Sequence, residues 1–248
     1  MRPTSFLVDI HCIATYIFGV FRDFGGDCGG WPASPLLSPI LFIHSQLSLE
    51  DTVLGEKVKQ DLTEFLQPST DFLVKKRLRP NYITVSGFLL SLVAALLFGS
   101  TYDAPFKFRL AGCFVLLAGL CDIFDGQVAR AGRNGTKFGA LLDSTADRYA
   151  EIFVYFGIAV DFVRAQWWGP SAALFFAMAG SLMVSYVRAR AEGLGEECKV
   201  GFMQRPERVI ALGVSALLGR EALAVVMCII AILANFTVLE RMWHLRKI

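Results

Sequence analysis

"CDIFDGQVARAGRNGTKFGALLDSTADRYAE", Cys121 to Glu151, holds four aspartates, Asp122, Asp125, Asp143 and Asp147, in a chain that is otherwise oily. An aspartate at the centre of a bilayer costs roughly 2.5–3.5 kcal/mol on insertion scales, so four at close quarters need a compensating partner. Asp122 and Asp125 are three apart and Asp143 and Asp147 four apart, which puts each pair on one helical face. "AGRNGTK" between them reverses the chain and makes the two helices antiparallel neighbours. The four carboxylates then converge on one pocket, where they repel unless some stay protonated or cations intervene. Oxygen ligands without Cys or His select Mg²⁺, Mn²⁺ or Ca²⁺ rather than zinc. Four carboxylates suffice for two ions, the arrangement that clamps the attacking and leaving oxygens of a phosphoryl displacement.

The surrounding chain sets the class. Its 248 residues are 54% hydrophobic and only 19% charged, with mean hydropathy +0.51, against about 25% charged in a soluble domain. Apolar runs approach the ~20 residues needed to cross a bilayer. The expectation is an all-α polytopic membrane protein with six transmembrane helices near 82–100, 109–130, 139–161, 170–191, 206–219 and 221–239. Together they form one domain over 81–240, with a cytoplasmic tail over 241–248. Ahead of them, 51–80 carries Leu62, Phe65, Leu66, Phe72, Leu73 and Leu78 near helical spacing with charges between. That pattern suits an interfacial amphipathic helix interrupted near Pro68, and equally a soluble helix packed on the body. Residues 1–50 are an extension of unclear role, readable as a weak signal sequence, an interfacial segment or the product of a start codon placed too early.

Other classes are disfavoured. A net charge of +2 gives no reason to expect a nucleic-acid partner. The six cysteines form no C-x-x-C pair, and His11, His44 and His244 lie far from the aspartates in sequence. A zinc site, a redox motif and a histidine base are therefore not expected there.

Charge sets the orientation. Lys75, Lys76, Arg77, Arg79, Arg130, Arg133, Lys137, Arg188, Arg190, Lys199, Arg205, Arg208, Arg241, Arg246 and Lys247 fall at one set of helix ends, against Lys107, Arg109, Arg164 and Arg220 at the other. The positive-inside rule puts the first set, with the aspartates, on the cytoplasmic face of the cell membrane. Gly126 follows Asp125 and Gly139 lies one turn before Asp143. A helical glycine costs about 1 kcal/mol relative to alanine, which close approach of a ligand or of another helix offsets. Arg130 at the inner end is placed to meet a phosphate.

From Asp122 to Asp147 the residues read D-x2-D-G-x2-A-R-x8-G-x3-D-x3-D. This resembles the signature of the CDP-alcohol phosphotransferase family, and the likeness extends over roughly 70–240, including the "RPNYIT" lead-in to the first span. The resemblance implies a membrane enzyme that moves a phosphatidyl group from CDP-diacylglycerol to an alcohol and releases CMP. By matching position, Asp122, Asp125, Asp143 and Asp147 would hold Mg²⁺ or Mn²⁺, two ions in all. Asp147 would be the base for the acceptor hydroxyl. Asp122, Gly126, Ala129, Arg130 and Gly139 would border the cytidine nucleotide. Membrane lipids and a second copy in a homodimer are further implied partners.

"SYVRARAEGLGEECKVGFMQRPERV", Ser185 to Val209, bears on the acceptor. Arg188, Arg190, Arg205 and Arg208 bracket one loop, and guanidinium grips phosphate in a bidentate way. Positive-inside topology and anionic lipid account for the same charges. The stretch resembles the phosphatidylinositol-phosphate synthase branch, which would place Ser185, Arg188, Arg205 and Arg208 around an inositol phosphate. Glycerol 3-phosphate and inositol are the alternative acceptors. A divalent-cation transporter is the alternative of another class, although transporters spread carboxylates near the midplane and show repeats. An inactive membrane scaffold would be expected to have lost an aspartate.

Overall fold

Prolines and one glycine set the ends of the helices. In the computed structural model, which describes residues 66–70, 73–76, 79–100, 104–132, 136–198 and 200–246, α1 (Pro80–Ser100) starts at the proline of "RPN". α2 (Pro105–Ala131) also starts at a proline, and Pro206 sits in the first turn of α5 (Arg205–Leu218). Proline's fixed φ and missing N–H suit that position. α3 (Lys137–Arg164) is capped by Thr136, whose Oγ1 accepts a hydrogen bond from the Gly139 N–H at 2.9 Å. α4 spans Trp168–Gly193 and α6 spans Arg220–Arg246. Gly219 alone joins α5 to α6, at φ 130° and ψ 178°, a conformation a Cβ would oppose. α6 runs on past the boundary expected at 241, because "RMWHLR" contains neither Gly nor Pro to stop it.

The extension over 1–50 lies outside the described residues, as does most of the amphipathic segment; within that segment 66–70 and 73–75 are helical. α1 packs on α2 and α3, α2 on α5, and α6 on both α4 and α5. A Cβ on Gly157 would stand 2.3 Å from the Ala95 carbonyl oxygen, so the backbones of α1 and α3 meet there. Tyr155, Ile158, Phe162, Leu223, Met227 and Ile230 form the buried centre, and Phe98 meets Phe108 edge-on with ring centroids 5.1 Å apart.

Outside that core the surface is apolar as well. Leu96 and Phe106 are about three-quarters exposed, and Phe156, Phe175 and Ile232 also face outward. Among the described residues three helices are long and apolar enough to cross a bilayer: α1, α4 and α6, with mean hydropathy 2.1, 1.5 and 2.7. The regular structure of the described residues is all helical, and three such apolar helices fit an integral membrane protein. α2 and α3 are 27 and 28 residues long but carry the carboxylates, and α5 has only 14 residues.

Candidate functional site

The aspartates lie on the last turns of α2 and the first turns of α3, on either side of the reversal. Ligand atoms of Asp122, Asp143 and Asp147 all lie within 4.8 Å of one another. That spacing lets carboxylate oxygens share a divalent cation, whose own bonds to oxygen are about 2.0–2.6 Å long. Asp143 Oδ1 is buried without a hydrogen-bond partner, an acceptor waiting for a positive group. These observations fit a hard cation held by oxygen.

Asp125 stands outside that group of three. It is almost fully buried and accepts a hydrogen bond from Thr84 Oγ1 on α1 at 2.7 Å. The "RPNYIT" lead-in therefore orients one of the four carboxylates. Two residues on, Gln127 accepts from Thr70 Oγ1 at 2.5 Å, so the segment before α1 is also keyed to the signature helix.

The cleft is walled by α1, α2, α3 and α5, through Thr84 and Ser91, Asp122 and Asp125, Asp147 and Glu151, and Arg205 and Val209. Arg205 enters from the first position of α5 and bridges two aspartates: Nη1 lies 2.7 Å from Asp122 Oδ1 and Nη2 2.6 Å from Asp147 Oδ1. Arg208, one turn on, is fully buried. Its Nε and Nη2 meet Glu151 Oε1 and Oε2 at 2.7 and 3.1 Å, and Nη1 donates to the Met203 carbonyl at 3.1 Å.

The remaining sequence candidates divide. The three atoms nearest a Cβ on Gly126 all belong to the Arg130 guanidinium, the closest at 3.4 Å, so no close helix approach demands that glycine. A Cβ on Gly139 would press at 3.0 Å on Asn81 Oδ1 and Thr136 Oγ1. Ala129 is half-buried and Arg130 exposed. On α4, Ser185 bonds its own helix at Ser181 O, and Arg188 is exposed and paired with Glu192 at 2.9 Å. The four acceptor candidates are thus split between α4 and α5.

Two residues of the cleft, Glu151 and Thr84, and one buried arginine outside its lining escaped sequence reading. Glu151 continues the four-residue step of Asp143 and Asp147, which was a usable signal. Thr84 had none beyond its place in the lead-in. Arg241 was counted only as a cytoplasmic charge, yet it is buried, donating from Nε to the Val200 carbonyl at 2.8 Å and from Nη1 to the Val184 carbonyl at 2.6 Å.

α2 and α3 each pack on α1 rather than side by side as expected from the reversal between them, and their carboxylates gathered in one cleft suit phosphoryl-type transfer. The family model for CDP-alcohol phosphatidyltransferase matches residues 77–239, and the chain belongs to that family. It is an enzyme that transfers substituted phosphate groups. It is 34% identical over 186 residues to an archaetidylinositol phosphate synthase of Methanothermobacter thermautotrophicus, covering 73% of this chain and 88% of that one. A phosphatidylinositol phosphate synthase of Mycobacteroides abscessus is 32% identical over 196 residues, covering 76% and 86%. Among solved structures, Mycobacterium tuberculosis phosphatidylinositol phosphate synthase with CDP-DAG bound superposes with TM-score 0.62 at 30% identity, over 71% of this chain and 90% of that one. The same enzyme in complex with manganese and citrate also gives TM-score 0.62, at 31% identity over 71% and 86%.

Proposed function

We propose that this protein transfers the phosphatidyl group of CDP-diacylglycerol to inositol phosphate, releasing CMP, on the cytoplasmic face of the cell membrane. The observation that carries the reading is the meeting of Asp122, Asp143 and Asp147 within 4.8 Å in a cleft that Arg205 also enters. Relatives named for archaetidyl and for phosphatidyl lipids share the inositol phosphate part of their names. That favours the headgroup over the tail as the common substrate element. Glycerol 3-phosphate and inositol are the competing acceptors, and family membership sets the transporter reading aside.

Asp122, Asp125, Asp143 and Asp147 would hold Mg²⁺ or Mn²⁺, two ions in all. Bound there, divalent charge offsets that of the diphosphate. Asp147 takes the proton of the acceptor hydroxyl. The freed oxygen attacks the phosphorus that carries the diacylglycerol. The bond from that phosphorus to the CMP oxygen breaks, and CMP leaves with the electron pair. Gly126, Ala129, Gly139 and Arg130 border the nucleotide, while Ser185, Arg188, Arg205 and Arg208 form the acceptor side. Six spans fit this assignment, with α2, α3 and α5 crossing among the three apolar helices and sheltering their charges in the cleft.

Purified full-length protein with CDP-diacylglycerol and Mg²⁺ should release CMP with inositol phosphate, and much more slowly with inositol, glycerol 3-phosphate or serine. EDTA should abolish that release and added Mg²⁺ or Mn²⁺ restore it. Equal or faster release with another alcohol replaces the acceptor, and full activity in EDTA removes the metal.

A further inference from the structure

The acceptor side is divided. Ser185 and Arg188 stand on α4, Arg205 and Arg208 on α5, and these two helices share α6 as a neighbour without packing closely on each other. A buried line of side chains crosses between them by way of α3. The Ser181 and Tyr155 hydroxyls lie 3.1 Å apart, and the Tyr155 hydroxyl donates to Glu151 Oε1 at 3.3 Å. The Arg208 guanidinium then closes on both Glu151 oxygens at 2.7 and 3.1 Å. Ser181, Tyr155 and Arg208 are fully buried, and Glu151 is buried where it borders the cleft. Each end of the line sits one turn from a residue of the acceptor side. Ser181 precedes Ser185, whose hydroxyl donates to the Ser181 carbonyl at 3.4 Å, and Arg208 follows Arg205.

We infer that Tyr155 is a positioning residue: its hydroxyl is the middle link of a strut, Ser181–Tyr155–Glu151–Arg208, that fixes the spacing between the α4 and α5 halves of the acceptor side. This rests on reading that side as the acceptor site. Stability alone does not explain the strut, because a buried ion pair replaced by well-packed apolar groups is often neutral or stabilising. Register does explain it. α3 presents Asp147 and Glu151 four residues apart, and α5 presents Arg205 and Arg208 three apart. The pairs meet in order, Arg205 with Asp147 and Arg208 with Glu151. Holding the inner pair therefore sets where the outer guanidinium points. Tyr155 supplies the hold, since Glu151 Oε1 accepts from both its hydroxyl and Arg208 Nε, and the Ser181 contact carries the same constraint to α4. The proposed nucleotide border on α2, Gly126, Ala129 and Arg130, lies off this line.

The test is steady-state CMP release by purified full-length protein, with the KM of the acceptor and the KM of CDP-diacylglycerol measured separately. The acceptor is inositol phosphate, or whichever tested alcohol the wild type uses best. Tyr155→Phe removes one hydroxyl and keeps the ring. It should raise the acceptor KM about fivefold, in the range for a lost hydrogen bond, and leave the KM of CDP-diacylglycerol unchanged. Ser181→Ala cuts the same strut at its α4 end and should do likewise, and it carries the comparison if the phenylalanine variant does not fold. The double variant should be no worse than either single one, because both cut one line. A merely destabilising change would lower the amount of active enzyme, and so the apparent kcat, and move neither KM. An unchanged acceptor KM in either folded variant, an equal rise in both KM values, or additive losses in the double variant overturns the strut. Wild type that releases no CMP with any alcohol tested fails the acceptor reading instead, and the role of the strut falls with it.

Discussion

α1, α4 and α6 on one hand and α2, α3 and α5 on the other do different work with similar materials. The first three meet the length and hydropathy needed to cross a bilayer. They carry much of the apolar wall, from Leu96 on α1 to Phe175 on α4 and Ile232 on α6. The second three are not among them: α2 and α3 bear Asp122, Asp125, Asp143, Asp147 and Glu151, and α5, with Arg205 and Arg208, is only 14 residues long. The charges that line the cleft come from α2, α3 and α5, and α1 lines it with hydroxyls, Thr84 and Ser91. The lesson is that a charged helix is tolerated in lipid when its charges face each other across a cleft rather than the acyl chains.

The sharpest way to break that division is to remove the proposed base. Asp147→Asn should lower CMP release by about 10²–10⁴-fold, the usual contribution of a general base, with CDP-lipid still bound in an equilibrium assay. Near-normal turnover would take the base away from the charged set. Glu151→Gln acts on the scaffold of that set. It leaves the Arg208 guanidinium, fully buried and otherwise held only by Met203 O, without its charge partner. Breaking such a pair from one side costs about 3–5 kcal/mol, to be seen as a large fall in melting temperature together with lost activity. On the apolar side, Ile230→Ala opens a cavity beside a fully buried position. It should cost about 2–5 kcal/mol of stability, while kcat in the surviving folded protein holds. If Ile230→Ala changed kcat as strongly as it changed melting, the two groups of helices would not be separable.

Much of this was legible in the chain. The 3- and 4-residue spacing of the aspartates around a Gly-rich reversal is a local property from which all four were expected to converge; the structure gathers Asp122, Asp143 and Asp147 and pairs Asp125 with Thr84. α1 starts at Pro80 near the expected 82, and α5 carries Pro206 in its first turn, while α2 starts at Pro105, ahead of the expected 109. The arginines were harder. Arg188, Arg205 and Arg208 look alike as cytoplasmic charges, yet one pairs with Glu192 at the surface, one bridges two aspartates and one is sealed against Glu151. The Arg208–Glu151 pair joins residues 57 apart, and nothing in local periodicity specifies which distant carboxylate a guanidinium will meet.

What the sequence determined by itself is an oily helical chain, a hinge between two acidic helix ends, and carboxylates on a shared face, because helix period and turn chemistry act over a few residues. What only the tertiary structure decided is the pairing: Thr84 with Asp125, Arg205 with Asp122 and Asp147, Arg208 with Glu151. Those choices depend on how α1 and α5 dock against α2 and α3. Docking is set by close approaches such as Gly157 on Ala95, which no single segment encodes.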